Sequence, residues 1–236
     1  MYKIITAFVV VGMSIYLIYY FLFAPDLTDK LFMAIKNNNV TEAKFLIDKG
    51  ADINGVRGPI AAKSILTEAI EYGSSEIVAL LLSKGVRVEK NPEWSKLPLD
   101  HSADIALGFD SITRKDWETI RQNQRKIIPL LMAGHAPTKH SEITLAILTG
   151  DLNLVKKLSH ESKLALERGE IRINDLIRAI IFSGNKEIIN HVINNMLDDK
   201  DAVNKIDLLQ LAVKSDNPEI IDYILSLPNI NINASE

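Results

Sequence analysis

The chain has 236 residues, of which 47% are hydrophobic and 24% are charged, a composition typical of a folded globular protein. A net charge of −3, with no basic segment interleaved with aromatic residues, argues against a dedicated nucleic-acid-binding protein. The chain contains no cysteine, which excludes disulfides, cysteine-based metal sites and thiol catalysis.

The first 25 residues form a segment of their own. Residues 4–24 contain no charged side chain, and a helix of that length spans about 30 Å, the thickness of a bilayer core. We therefore predict an N-terminal transmembrane anchor over residues 1–25, with residues 4–24 in contact with the lipid bilayer. The alternative is a cleaved signal peptide. However, the apolar run is longer than such signals usually have, and Leu22 stands where a small residue is preferred.

The charges that flank this segment indicate an orientation. Lys3 precedes it, whereas Asp26 and Asp29 follow it, so the positive-inside tendency keeps the N-terminus in the cytoplasm. We expect a single-pass membrane protein whose remaining chain is exported, in a bacterium to the periplasm. Because Lys30 and Lys36 partly offset the bias, a domain that faces the cytoplasm is the alternative.

A repeated pattern follows the anchor. Residues 66–89 overlay residues 31–54, so that Ala69 falls on Ala34 and Gly85 falls on Gly50. Apolar residues at positions i, i+3 and i+4 predict a short helix, a glycine follows it, and a second apolar helix comes next. The second helix has too many apolar positions for one buried face, which indicates that neighbouring units stack. The pattern recurs around Ala146, Ala179 and Ala212.

The residues Gly50, Ala51, Asp52, Ile53 and Asn54 carry a resemblance to a known family. Together with the glycine, isoleucine and leucine spacing of residues 73–82, they resemble the ankyrin repeat, although its threonine-proline-leucine-histidine opening is absent. The resemblance implies an all-α, ankyrin-type solenoid of about six helix-turn-helix repeats in residues 26–236, preceded by the one transmembrane helix. The predicted units lie near 28–60, 61–92, 93–138, 139–172, 173–204 and 205–236.

The third unit contains an insertion. Its second helix is predicted from Arg125 to the closing Gly134, and its first helix lies near Ala103 with an undetermined register. The polar residues 110–125 between them favour a helix that starts near Thr113 or Asp116. Pro129 either kinks one long helix or lies near the start of a short one. A second long connection is expected after Leu158 in place of the usual short hairpin.

Residues with catalytic or metal-binding chemistry lack the spacing that such sites need. The histidines are scattered, and a zinc pair of His135 and His140 is less plausible than two solvated turn residues. Asp100, His101 and Ser102 are the residue types of a hydrolase triad, but triad members meet in space and not as sequence neighbours. We predict that the chain is not an enzyme and has no metal, cofactor or nucleic-acid partner.

The resemblance to ankyrin repeats implies a partner protein that binds the inner helices and hairpin tips. We include the two tryptophans among the candidate partner-binding residues, because tryptophan is enriched at binding hot spots and because Trp117 lies in the insertion. The candidate partner-binding residues are Met33, Lys36, Asn37, Arg57, Glu68, Glu71, Tyr72, Arg87, Trp94, Trp117, Leu148, Phe182 and Lys214.

These observations favour a membrane-tethered module that binds another protein. One version is an immunity-type protein of the periplasm that neutralises an incoming toxin. The rival is a scaffold or effector that organises cytosolic partners at the membrane. An enzyme would need an active site built by residues 109–125, and no motif there supports one.

Overall fold

The computed structural model describes residues 26–58, 62–89, 96–108, 116–197, 205–215 and 217–227. The predicted anchor and Trp94 lie outside these residues. No helix in the described part is both long enough and apolar enough to cross a bilayer.

Consecutive helix pairs make up almost all of the described chain. The first helices of the pairs are α1 (Leu27–Lys36), α3 (Ile65–Glu71), α5 (Pro98–Leu107), α7 (Glu142–Thr149), α9 (Ile173–Ser183) and α11 (Lys205–Lys214). The second helices are α2 (Val40–Asp48), α4 (Ser75–Ser83), α6 (Trp117–Ala133), α8 (Leu152–Glu167), α10 (Lys186–Asn195) and α12 (Pro218–Ser226). The predicted all-α fold is confirmed, and the number of ankyrin units remains a prediction.

One short hairpin joins the first pair to the second. Strand β1 (Val56–Arg57) runs antiparallel to β2 (Lys63–Ser64), with Val56 opposite Ser64. The hairpin leads directly into α3, whose first turn is capped because the Ser64 hydroxyl accepts the N–H of Thr67.

Asparagine or aspartate side chains fix the start of four of the second helices. Asn39 caps α2, Asp151 caps α8, Asn185 caps α10 and Asn217 caps α12, and each side chain accepts a backbone N–H of the first turn. These caps hold the tight turn between the two helices of a pair. They explain why these four second helices begin where they do.

Stacked first helices form the core of the molecule. Each first helix contacts the next, from α1 to α3 and onward to α11. Alanine recurs in these helices, and each of these alanines is at most 1% exposed: Ala34, Ala69, Ala103, Ala146, Ala179 and Ala212. A methyl side chain allows the helices to approach closely, as the sequence pattern predicts. Ala103 also supplies the register of the third unit, which the sequence did not settle.

Two predicted boundaries were wrong. Helix α6 begins at Trp117 with Asp116 as its N-cap residue, which agrees with the helix start predicted near Asp116. It then continues past Arg125 and Pro129 as one helix, whereas a separate helix was predicted to begin at Arg125. The first turns of α6 are stabilised because Ile120 and Gln124 are buried against neighbouring helices. Helix α8 likewise runs through to Glu167, so the segment after Leu158 is helical and not a long connection.

The stacking is irregular after the third pair. Helix α6 contacts α4 and α5 and also packs on α7 of the following pair. Helix α9 contacts α7 and also reaches back to α5. The ends of α5, α6 and α9 are therefore brought together, in addition to the contacts between adjacent units.

Candidate functional site

The accessible candidate residues are concentrated in the first two helix pairs. Met33 on α1 is 54% exposed, although it is apolar. Lys36 and Asn37 are exposed at the end of the same helix, and Arg57 is exposed on the hairpin. This surface, which we call the N-terminal face, combines one apolar side chain with several polar ones. Such a mixture is compatible with reversible binding, because non-obligate interfaces are about as apolar as the rest of a protein surface.

Charged side chains link neighbouring first helices along this face. Nζ of Lys36 on α1 lies 3.5 Å from Oε1 of Glu68 on α3. The Glu68 side chain is only 8% exposed, whereas that of Lys36 is 45% exposed. Glu68 was predicted to be an exposed contact residue, and that prediction was wrong because Lys36 and the stacked helices cover it. Its carboxylate instead positions the accessible Lys36.

Glu71 makes the next link. Its carboxylate accepts a hydrogen bond from Lys63 on β2 and lies 3.2 Å from Nε2 of His101 on α5. Burial alone would raise the pKa of Glu71, but the bonds with His101 and Lys63 outweigh burial and lower that pKa. Glu71 is therefore an anion at neutral pH that ties the hairpin, α3 and α5 together. The predicted contact residue Tyr72 follows it and is half-buried.

A third link crosses from α5 to the turn before α7. Oδ1 of Asp104 lies 3.3 Å from Nε2 of His140, and Oδ2 lies 2.9 Å from Nζ of Lys96. Burial would raise the pKa of Asp104, but hydrogen bonds from His140 and Lys96 more than offset it and lower the pKa. We call these three links, Lys36–Glu68, Glu71–His101 and Asp104–His140, the charge ladder.

The hairpin and the following turn form the edge of the N-terminal face. The Arg57 guanidinium lies 5.8 Å from the centre of the Phe32 ring and 3.8 Å from Asp29. The backbone N–H of Arg87 donates to Oδ1 of Asn54, so equivalent turns of adjacent units are tied together. The side chains of Arg57 and Arg87 remain exposed, as predicted.

Two candidates from the later units are buried. Leu148 and Phe182 were predicted to be exposed contact residues, but each is 1% exposed. Leu148 is covered because α7 packs against both α6 and α9. Phe182 is covered by Arg121 and Arg125 of α6, whose guanidinium groups lie 5.0 and 4.9 Å from its ring centre. Both side chains belong to the core and present no contact surface.

The remaining two described candidates lie together. Trp117 at the start of α6 and Lys214 at the end of α11 line one cavity of about 290 Å³. Arg121 of α6 and Arg178 of α9 also line it. The sequence placed Trp117 in an insertion and Lys214 in the last unit, and it offered no signal that the two would meet.

Gln124 is a structural residue that the sequence reasoning missed. It is fully buried on α6, accepts a hydrogen bond from the Ser102 hydroxyl at 2.7 Å and donates to the carbonyl of Ile70 at 3.1 Å. One amide thereby joins α3, α5 and α6. A polar residue in a helix of otherwise polar sequence gave no sign of burial.

The residues considered for catalysis point to different partners. Asp100 accepts hydrogen bonds from the hydroxyl of Thr138 and the backbone N–H of Lys139. His101 contacts Glu71, and the Ser102 hydroxyl donates to Gln124, so these three neighbours form no hydrolase triad. No group of three metal-binding side chains occurs in the part of the chain that the structure describes.

Comparison with known proteins supports the interpretation of the helix pairs. Residues 14–92 match the family model for ankyrin repeats in three copies. The helix pairs agree with this match, so residues 14–92 are similar to ankyrin repeats. Ankyrin repeats are general protein–protein interaction modules. A search of curated proteins found no match.

Proposed function

We propose that the chain binds one partner protein on the N-terminal face and holds it close to a membrane. The observation that carries this proposal is the position of the accessible candidates. Met33, Lys36, Asn37, Arg57 and Arg87 all lie within the residues that match the ankyrin repeat model. Binding by such modules needs a fixed surface, and the charge ladder holds the helices of this face in register.

The distance to the membrane follows from the start of α1. This helix begins at Leu27, where Asp26 accepts the N–H of Asp29 at 2.6 Å. Only Pro25 and Asp26 therefore separate the predicted membrane span, residues 4–24, from α1. Because Met33 lies about 9 Å along α1 at 1.5 Å per residue, the proposed anchor places the face next to the bilayer.

The proposal assigns the stack to the exported side of the membrane, on the basis of Lys3 and the acidic residues after the anchor. In this arrangement the partner is a protein that arrives at or resides on that side. An immunity-type role, in which the face blocks an incoming toxin, is one form of it.

Photocrosslinking in the native host tests this proposal. A photoreactive amino acid replaces Met33 on α1 or, as the matched control, Phe45 on α2. The two side chains are 54% and 58% exposed but lie on the first and the second helix of the same unit. We expect one protein of defined mass to crosslink at position 33 and not at position 45.

Three results would contradict the proposal. Equal crosslinking at both positions would indicate non-specific contact. No crosslinked protein at position 33 would argue against a partner on this face. A cytosolic partner would overturn the assignment to the exported side and favour the cytoplasmic scaffold.

A further inference from the structure

A positively charged cavity lies at the irregular junction of the stack. Its volume is about 290 Å³, and it is lined by the ends of α5, α9 and α11 and the start of α6. Three cations line it, namely Arg121, Arg178 and Lys214, against the single carboxylate of Glu118 among the described lining residues. Apolar walls complete it, formed by Trp117, Ile181 and Leu211.

Two of the cations also stabilise helix ends. Nε of Arg121 donates to the carbonyl of Ala106 at 2.9 Å, and Nη1 of Arg178 donates to the carbonyl of Leu107 at 3.2 Å. Both carbonyls belong to the last turn of α5, where cations are favoured by the helix dipole. This structural role accounts for part of the positive charge, but it does not involve Lys214.

Lys214 differs from these two arginines, because it makes no hydrogen bond to a helix end among the described residues. Its side chain is exposed at the end of α11, and no carboxylate pairs with it within the described residues. It therefore adds a positive charge to a cavity that already holds two. Nothing in the packing of the described helices requires a lysine there.

The cations repel one another. Burial lowers the pKa of Arg121, Glu118 partly opposes this, and the charge of Arg178 lowers the pKa further. Burial and then the charge of Arg121 lower the pKa of Arg125, which lies beside the cavity. An anion bound in the cavity would relieve this repulsion, because opposite charges a few ångströms apart favour each other's charged form.

We propose that this cavity binds the carboxylate of an acidic side chain on the partner protein, with Lys214 and Arg121 as its counter-ions and Trp117 as its apolar wall. This inference rests on the proposed function and specifies what the partner must present.

The surroundings favour a carboxylate over a phosphate. Glu118 and the partial negative charge at the end of α5 reduce the net positive charge of the cavity. The remaining charge suits a group with one negative charge better than one with two. The apolar walls suit the methylene groups of a glutamate side chain, which have no equivalent in a free phosphate ion.

The other large cavity provides a contrast. It has a volume of about 400 Å³ and lies at the N-terminal ends of α5, α7 and α9. Both signs of charge line it, namely the cations Lys96, Lys139 and Arg172 and the carboxylates of Asp100, Asp104, Glu170 and Asp175. Asp100 and Asp175 are already bonded, to Thr138 and Arg172 respectively, and that cavity has no excess of positive charge.

Fluorescence of Trp117 tests the proposal in the full-length chain, kept in a mild detergent. Trp94 is replaced by phenylalanine so that Trp117 is the single tryptophan. The probes are three capped tripeptides with leucine at both ends and glutamate, glutamine or phosphoserine at the centre. We expect the glutamate peptide to bind at least about tenfold more tightly than the glutamine peptide, and more weakly as NaCl is added.

Two variants assign the binding to this cavity. Lys214→Met should weaken binding of the glutamate peptide about three- to fivefold, whereas Lys157→Met, an exposed lysine on α8, should leave it unchanged. Glu118→Gln should strengthen binding, because it removes the one described carboxylate in the cavity. A gain in affinity does not result from misfolding.

Each contrary result would overturn one part of the cavity proposal. Equal binding of the glutamate and glutamine peptides would exclude carboxylate recognition. Tighter binding of the phosphoserine peptide would make this a phosphate site instead. An unchanged affinity in Lys214→Met would place the peptide elsewhere. Crosslinking at Met33 does not involve this cavity, so its failure and the failure of the cavity proposal can be told apart.

Discussion

Gly73, in the turn between α3 and α4, lies close to α6 of the third unit. Its φ angle is +64°, in the left-handed region that favours glycine. A Cβ at this position would lie 3.1 Å from the Cα of Ile120 on α6. Gly85 ends the next helix with a φ angle of +78°, but a Cβ there would meet no atom within 4 Å. A comparison of alanine substitutions at the two glycines therefore distinguishes the cost of backbone strain from the cost of a steric clash.

We expect Gly73→Ala to lower the free energy of unfolding by about 2–4 kcal/mol, because it adds both left-handed strain and a clash with the α6 backbone. Gly85→Ala should cost about 1–2 kcal/mol, since it adds strain alone. Urea denaturation followed by circular dichroism measures both values. Equal losses in the two variants would show that α6 does not press on this turn.

The Glu71 carboxylate joins three secondary-structure elements. One carboxylate contacts Lys63 on β2 and His101 on α5, and it is itself carried by α3. Because the pKa of Glu71 is lowered in the folded chain, the folded state holds this carboxylate in its charged form more strongly than the unfolded state does. Its contribution to stability is complete above its ordinary pKa of 4.5 and is lost as the pH falls through the lowered value.

We expect Glu71→Gln to cost about 1–2 kcal/mol at pH 7 and progressively less below pH 4.5, so that the two stability curves converge in acid. Thermal melting between pH 7 and pH 3 measures this. Glu161→Gln, a change at an exposed residue of α8, is the control and should leave the pH dependence unchanged. A constant difference between Glu71→Gln and the unaltered chain at every pH would contradict the assignment of the ion pairs.

The elements differ in how well the sequence predicts them. The first helices and their alanines are predictable, because apolar spacing and a small residue determine which face is buried. The start of α6 near Asp116 was predicted from its helix-prone polar residues. Its burial was not, because the contacts of Gln124 with Ile70 and Ser102 join distant parts of the chain. The exposure of Phe182 was mispredicted for the same reason, because Arg121 and Arg125 cover it from a distant part of the chain.

The accessible face was predicted better than the cavity. Met33 and Lys36 occupy exposed helix positions that follow from the local repeat. The meeting of Trp117 with Lys214 depends instead on how α6 and α11 are arranged in space, and nothing in the local sequence encodes that. A repeat pattern thus predicts the surface of regular units and fails at the irregular junction.

At the scale of the whole molecule, two kinds of contact hold the stack together. Most contacts join adjacent units, as in any solenoid, where stability is a sum of local and nearest-neighbour terms. The third unit departs from this because α9 of the fifth unit also contacts α5, and because Arg125 of α6 donates to the carbonyl of Phe182 on α9. A defect in the second unit should therefore be transmitted beyond its immediate neighbours.

Leu81→Asp tests this transmission. Leu81 on α4 is 0% exposed, so the substitution buries an unpaired charge at a cost of several kcal/mol, a large part of the stability of a typical domain. We expect loss of α4 packing to release α6, and hydrogen exchange to show reduced protection as far as α9. Leu164→Asp, at a position that is 42% exposed on α8, should leave protection unchanged. If protection fell only in α1 to α4, the stack would behave as a regular solenoid and α6 would not couple its two halves.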